Sequence, residues 1–251
     1  GSVSTRDGWQ GMSFAAVSDT VTVETDGPER ACIMLSGRLR RDDQLFGRFS
    51  CRVHAYRKRP YVKLQYRIYN DTDHPAQLVT ALPLTVRTSI ADGVAALGEH
   101  RVATDASDAG RLLVRQHAAD GYEVFLGTDA RLDRGSTWSG PVCLEGGAGS
   151  VCGQVRHFAQ QYPKRMWAGY GGQVVFDLFS VTRDCEQYVM PRGEAKTHEL
   201  LLCLAAGAAE LAAFSAFEQP PVLLSPDWYA ANQAFGLAAP LTGDVHPELL
   251  G

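Results

Sequence analysis

Lys196 and His198 lie two residues apart in the segment Gly193-Glu194-Ala195-Lys196-Thr197-His198-Glu199, which reads as a strand, so both side chains point to one face. A lysine beside a histidine lowers the pKa of either, because like charges disfavour the charged form, and such a pair could supply a base near neutral pH. Tyr162-Pro163-Lys164-Arg165 collects three more residue types that move protons or neutralise an anion, at a place where a strand is expected to end. Strand ends and adjoining loops are common places for sites. Arg52, His54 and Tyr56 alternate along another strand, where a cation, an imidazole and a ring could grip an anionic ligand. Each set has a plainer use: a solvated lysine near Glu194 or Glu199, a basic surface loop, a surface histidine.

The elements that would position these residues are strands. In 49–56, Phe49, Cys51, Val53 and Ala55 form one face and Ser50, Arg52, His54 and Tyr56 the other. Tyr61–Tyr69 repeats the device, with Val62, Leu64, Tyr66 and Ile68 against Lys63, Gln65, Arg67 and Tyr69. Further strands are expected at 13–25, 30–40, 77–87, 112–117, 123–127, 151–162, 173–180 and 195–205. Turn chemistry separates them at Asp26-Gly27-Pro28, Asn70-Asp71-Thr72-Asp73, Asp92-Gly93, Asp120-Gly121, Gly146-Gly147, Gly171-Gly172 and Arg192-Gly193. Many strands at this spacing predict an all-β sandwich or barrel. The Ala-rich run 208–217 predicts a short helix, broken at Gln219-Pro220-Pro221, and Ser225-Pro226-Asp227-Trp228 offers the start of another.

With 251 residues and 45% hydrophobic residues, the chain can bury a substantial core. No run approaches 18 uncharged apolar residues, so no membrane-spanning helix is expected. The net charge of −4 argues against non-specific nucleic-acid binding. Yet ten Lys and Arg residues fall between Arg38 and Arg67 against only Asp42 and Asp43, a distribution that suits an anionic ligand or simply a solvated sheet face. The six cysteines show no zinc-ligand spacing and fit a cytoplasmic or a secreted protein. Cys32, Cys51 and Cys203 sit among apolar residues as small hydrophobes; Cys143 and Cys152 flank a glycine-rich turn that could join them as a disulfide, although buried free thiols are the expectation. No cofactor is expected; Asp42-Asp43, Asp71 with Asp73, and Asp105 with Asp108 are where a calcium ion would have to sit, and turn formation accounts for them as well. No GxSxG, HExxH or Cys–His arrangement points to a hydrolase or protease.

Three segments carry a family resemblance: Val155-Arg156-His157-Phe158-Ala159-Gln160-Gln161-Tyr162-Pro163-Lys164, the stretch Gly193 to Glu199, and Ser225-Pro226-Asp227-Trp228-Tyr229-Ala230 leading to Phe235-Gly236. Together they resemble the central β-sandwich of the bacterial exo-rhamnogalacturonan lyase-like proteins, over roughly Trp9 to Gly236. The resemblance departs at His157 and Ala159, where family members tend to show an acidic residue and a tryptophan. It implies a large antiparallel, mutarotase-like supersandwich at 9–206, with residues 1–8 a tag remnant and linker. Residues 207–251 would be a helical appendix and linker. It also implies a preceding N-terminal barrel and a following C-terminal α/α toroid in the same chain.

The implied chemistry is β-elimination on a uronate-containing, rhamnogalacturonan-like polysaccharide. A cation neutralises the carboxylate, a base takes the C5 proton, and an acid protonates the leaving oxygen. On this reading Lys196, His198, Tyr162, Lys164 and Arg165 are the catalytic candidates, expected to converge in one cleft. His157, His54, Tyr56 and Arg52 are the substrate-binding candidates. The rival readings are a non-catalytic carbohydrate-binding or scaffolding sandwich, and a sandwich for protein contacts marked by an exposed apolar patch.

Overall fold

The computed structural model describes residues 2–7, 10–90, 92–104, 110–147, 149–182, 185–204 and 208–218. The expected second helix at Ser225–Trp228, the linker beyond it and the Asp105/Asp108 pair lie outside the described residues.

The alternating sequence folds as an all-β antiparallel sandwich. Among the described residues there are seventeen strands: β1 Ser2–Asp7, β2 Gln10–Asp26, β3 Arg30–Arg41, β4 Gln44–Tyr56, β5 Tyr61–Tyr69, β6 Ala76–Arg87, β7 Gly93–Leu97, β8 His100–Thr104 and β9 Leu112–Ala118, then β10 Gly121–Leu126, β11 Ala130–Gly135, β12 Val142–Gly146, β13 Gly149–Val155, β14 Lys164–Gly169, β15 Gln173–Ser180, β16 Tyr188–Pro191 and β17 Ala195–Cys203. One helix, α1 (Ala208–Glu218), follows. Ser2–Asp7, within the stretch expected to be a tag remnant and linker, pairs antiparallel with β2 and also meets β6.

The first layer runs β8-β7-β12-β13-β17-β5-β4-β3-β2, each strand antiparallel to the next. The second runs β6-β15-β14-β9-β10-β11, with β16 paired to the start of β6. Strand β1 joins the layers by pairing with β2 and β6. The layers meet where β7, β12 and β13 pack, without ladder pairing, on β9, β14 and β15. Between them lie fully buried Leu97, Leu144, Phe176, Leu112 and Met166. Burying each such side chain contributes on the order of 2 kcal/mol, and together they hold the two sheets face to face.

The period-2 rule then fixes which side chains meet. Along β5 and β17, Val62, Leu64, Tyr66 and Ile68 pair with Leu202, Leu200, His198 and Lys196, all on the inner face. Lys63, Gln65, Arg67 and Tyr69 share the outer face with Arg48, Ser50, Arg52 and His54 of β4, through the pairs His54–Lys63, Arg52–Gln65, Ser50–Arg67 and Arg48–Tyr69. Gly37 shapes that outer face: a Cβ there would lie 2.0 Å from the Val17 carbonyl oxygen. Only glycine lets β2 come so near, beside the bulge at Ser18–Thr20.

Two local expectations are corrected. The strand expected over 151–162 ends at Val155, and 156–161 turn back so that Lys164 opens β14 instead of lying past a strand end. His157 has φ 56°, a left-handed value that no strand residue takes. Cys143 and Cys152 are disulfide-bonded, not buried thiols, because the β12–β13 hairpin sets them directly opposite each other with Cα atoms 4.0 Å apart. Helix α1 covers this region: Phe214 is 2% exposed and packs with Ala96, Leu201, Cys203 and the disulfide.

Candidate functional site

The structure separates the chemistry-bearing residues into an inner cluster and an outer face. In the inner cluster, the side chain of Lys164 reaches across from β14 to β17. Its Nζ donates to the Leu178 carbonyl oxygen at 2.7 Å and lies 2.9 Å from Nδ1 of His198. Lys164 is 1% exposed and His198 3%. Burial drives the Lys164 amine well below the usual lysine range, with Lys196 adding repulsion. Burial likewise pushes His198 well below the usual histidine value, followed by repulsion from Lys164 and Lys196. Burial also raises the Tyr66 phenol, and the Tyr66 hydroxyl has no hydrogen-bond partner among the described residues. Cys51, directly opposite Tyr66, is pushed up to about 11 by the same cause. This is a sealed polar cluster inside an apolar core.

Of the five catalytic candidates, Lys164 and His198 touch, and Lys196 is close enough to repel both. Arg165 does not join them. Its neighbour Lys164 points inward, so Arg165 faces out and forms an ion pair with Asp177 at 2.9 Å. Tyr162 is 45% exposed in the turn ahead of β14. His157 lies in the same turn, and its Nδ1 is 3.5 Å from Glu218 of α1, which also accepts from the His157 amide. The expected convergence of all five in one cleft is therefore corrected: strand alternation and the 156–161 turn send them to different surfaces.

The outer face of the first layer holds the other group. Arg38, Arg48, Arg52, Ser50, Tyr69 and Asp19 border an open depression of about 350 Å³. Glu24 holds Arg52 by two hydrogen bonds, Nε to Oε2 at 2.7 Å and Nη2 to Oε1 at 2.8 Å. Asp71 holds Arg48 at 2.6 Å and Arg38 at 3.4 Å. Both Arg48 and Arg67 lie over the Tyr69 ring, at 5.6 and 4.9 Å. Such exposed pairs contribute only ~0–1 kcal/mol each, but they fix where the guanidinium forks point. The Arg52 guanidinium beside Glu24 in turn lowers that carboxyl.

Arg52 is the one sequence candidate that lines the depression. His54 and Tyr56 sit farther along β4; burial lowers His54, and Tyr56 packs on Tyr61 at 5.8 Å between centroids. Beyond them Glu199 takes Lys63 at 2.7 Å and Arg156 at 2.8 Å. Arg38, Arg48 and Tyr69 were not singled out from sequence, although Arg48, Ser50 and Arg52 share one face by the same alternation that exposed Arg52 and His54.

No curated protein matches the chain. Among solved structures, it is similar to a candidate aldose 1-epimerase from Klebsiella pneumoniae subsp. pneumoniae MGH 78578 at 10% identity and TM-score 0.43, covering 80% of this chain and 58% of that one. It is also similar to the α-N-acetylgalactosaminidase NagBb quadruple mutant from Bifidobacterium bifidum, at 13% identity and TM-score 0.43, covering 93% and 36%. A galactose mutarotase related enzyme from Lactobacillus acidophilus is similar at 8% identity and TM-score 0.33, covering 81% and 78%. These are likenesses of fold alone, and the chain spans little more than half of the first relative's length. Residues 2–97 match the family of the PcRGLX-like protein central beta sandwich domain, the same family that the sequence resembles.

Proposed function

We propose that this chain is the central β-sandwich domain of a polysaccharide lyase-like protein acting by β-elimination on a uronate-containing, rhamnogalacturonan-like polysaccharide. In this reading the sandwich holds the acidic glycan and does not abstract the proton. One observation carries the proposal: Arg38, Arg48, Arg52 and Tyr69 border a solvent-open depression, whereas Lys164 and His198 are sealed in the core. A base must come within about 3 Å of its proton, and a polymer cannot reach a 1% exposed amine. Guanidinium forks held in place by Glu24 and Asp71 suit a carboxylate, and the half-buried Tyr69 ring that lines the same depression suits contact with a sugar. The elimination itself then falls to the N-terminal barrel and the C-terminal α/α toroid of the same protein.

Isothermal titration with a trigalacturonate and with a neutral galactotriose tests this. The acidic sugar is expected to bind, and Arg48→Gln to weaken it by about tenfold or more, the scale of one charge-assisted hydrogen bond. Equal binding of both sugars, or an Arg48→Gln variant with unchanged affinity, would contradict it.

A second reading, a scaffolding sandwich, is favoured by one other observation. Val21, Val23 and Ile33 are 65%, 62% and 40% exposed, and Val23 pairs directly with Ile33, giving β2 and β3 an apolar strip that another domain would cover. The two readings are compatible, since a central domain can frame its neighbours and still hold a glycan.

A further inference from the structure

The outer face of the second layer carries a different arrangement. Across four adjacent strands the ladder places Glu123 of β10, Arg115 of β9, Arg165 of β14 and Asp177 of β15 in one row. The two arginines are direct cross-strand partners, an arrangement that repels unless an anion lies near. The carboxylates stand on the outer sides of the row: Glu123 takes Arg115 at 2.7 Å and Asp177 takes Arg165 at 2.9 Å. Neither acid is carried by β9 or β14, the two arginine strands.

The next row of the ladder is apolar. Phe125, Leu113 and Trp167 follow one another across β10, β9 and β14, and Arg111 lies over the Trp167 ring at 5.5 Å. An open depression of about 380 Å³ touches Arg115 and Arg165 of the first row and Leu113 and Phe125 of the second, with Arg111 and the carboxylate-bearing Asp129 also on its border. That volume lies within the range of small-molecule sites. Two arginines on neighbouring strands beside apolar side chains match a molecule with a carboxylate at one end and an apolar C–H face beside it, which is the layout of a uronic acid.

We infer that this face is a second, separate binding site for an acidic sugar, with the carboxylate at Arg115 and Arg165 and the sugar ring against Leu113, beside the Phe125 ring that Arg115 covers at 5.1 Å. The inference rests on the glycan reading above and extends it to the opposite layer.

The test is isothermal titration of the whole chain with digalacturonate, with digalactose as the neutral control. Arg115→Gln is the informative variant, because Glu123 keeps a partner in Arg131 at 2.9 Å. Arg165→Lys is the second variant; it keeps a cation for Asp177 and loses the planar fork. Two sites are expected in the wild type. Arg115→Gln and Arg165→Lys should each weaken one of them by at least about tenfold, and Arg48→Gln only the other. A single site abolished by Arg48→Gln and untouched by Arg115→Gln would overturn this inference and leave the first face standing. Equal binding of digalactose at the Arg115 site would also overturn it. Absence of any binding would overturn both.

Discussion

Replacing Lys164 by methionine should remove a pH dependence that the native fold carries. The unfolded lysine titrates near 10.4, while burial holds the folded amine well below that range. Between those two values the unfolded chain binds one proton more than the folded chain, so stability rises with pH by about 1.4 kcal/mol per unit. Each pH unit inside that window is thus worth about 3–6 °C in Tm for a chain of this size. Below about pH 6.5 His198, held below the usual histidine range by burial, acts in the same direction, so stability falls further as pH drops. Above about pH 8.5 the slope is opposed, because Cys51 keeps its proton in the fold up to about 11 while the unfolded thiol has lost it. Lys164→Met fills most of the same volume without a titrating group. It loses the bond to the Leu178 carbonyl, worth about 1–3 kcal/mol as an unsatisfied buried acceptor. Urea unfolding at pH 7.0, 7.75 and 8.5 should therefore show a rising stability for the wild type and a nearly flat one for Lys164→Met. A flat wild-type profile, or a variant that keeps the slope, would refute the neutral-lysine argument.

Other changes test separate parts of the structure. Arg165→Ala strips the partner from Asp177, which is 4% exposed; allowing for the solvent exposure of the arginine, a loss of roughly 1–3 kcal/mol in urea unfolding is expected. Gly153→Ala places a Cβ 2.3 Å from Phe176 Cζ and 2.7 Å from Leu202 Cδ2; overpacking between the layers should cost about 1–3 kcal/mol and lower the Tm. Phe214→Ala should destabilise by about 3–5 kcal/mol by opening the cluster beneath α1, and unchanged thermal unfolding would show that the helix does not hold that end of the sheet.

Alternation made the sandwich legible where strands are half-buried. The expected bounds of β5 and β15 are the observed ones, since apolar and polar positions alternate in β5 and nearly every side chain of β15 is buried. Strand β11 was not legible, because all but one of its six residues are exposed and its sequence, Ala-Arg-Leu-Asp-Arg-Gly, carries no apolar face. Reading 151–162 as one strand missed the turn at His157, whose left-handed backbone has no strong signal in a non-glycine residue. The site was less legible for a related reason. Lysine is rarely buried, so Lys164 was read as a loop cation when it is an interior partner for His198. The face of Lys196 and His198 was predicted correctly as shared, but a strand of unknown neighbours does not reveal which of its faces turns inward. That is decided by the opposite layer.

Mapping the bound sugar on the protein tests the central claim most directly. Backbone amide chemical shifts recorded during titration with trigalacturonate should move at Arg38, Arg48, Arg52 and Tyr69 on the outer face, and hold still at Lys164, His198 and Tyr66. Shifts centred on the inner cluster, or none on the face bordered by Arg48 and Arg52, would contradict the assignment of glycan binding to the surface and of a structural role to the buried lysine–histidine pair.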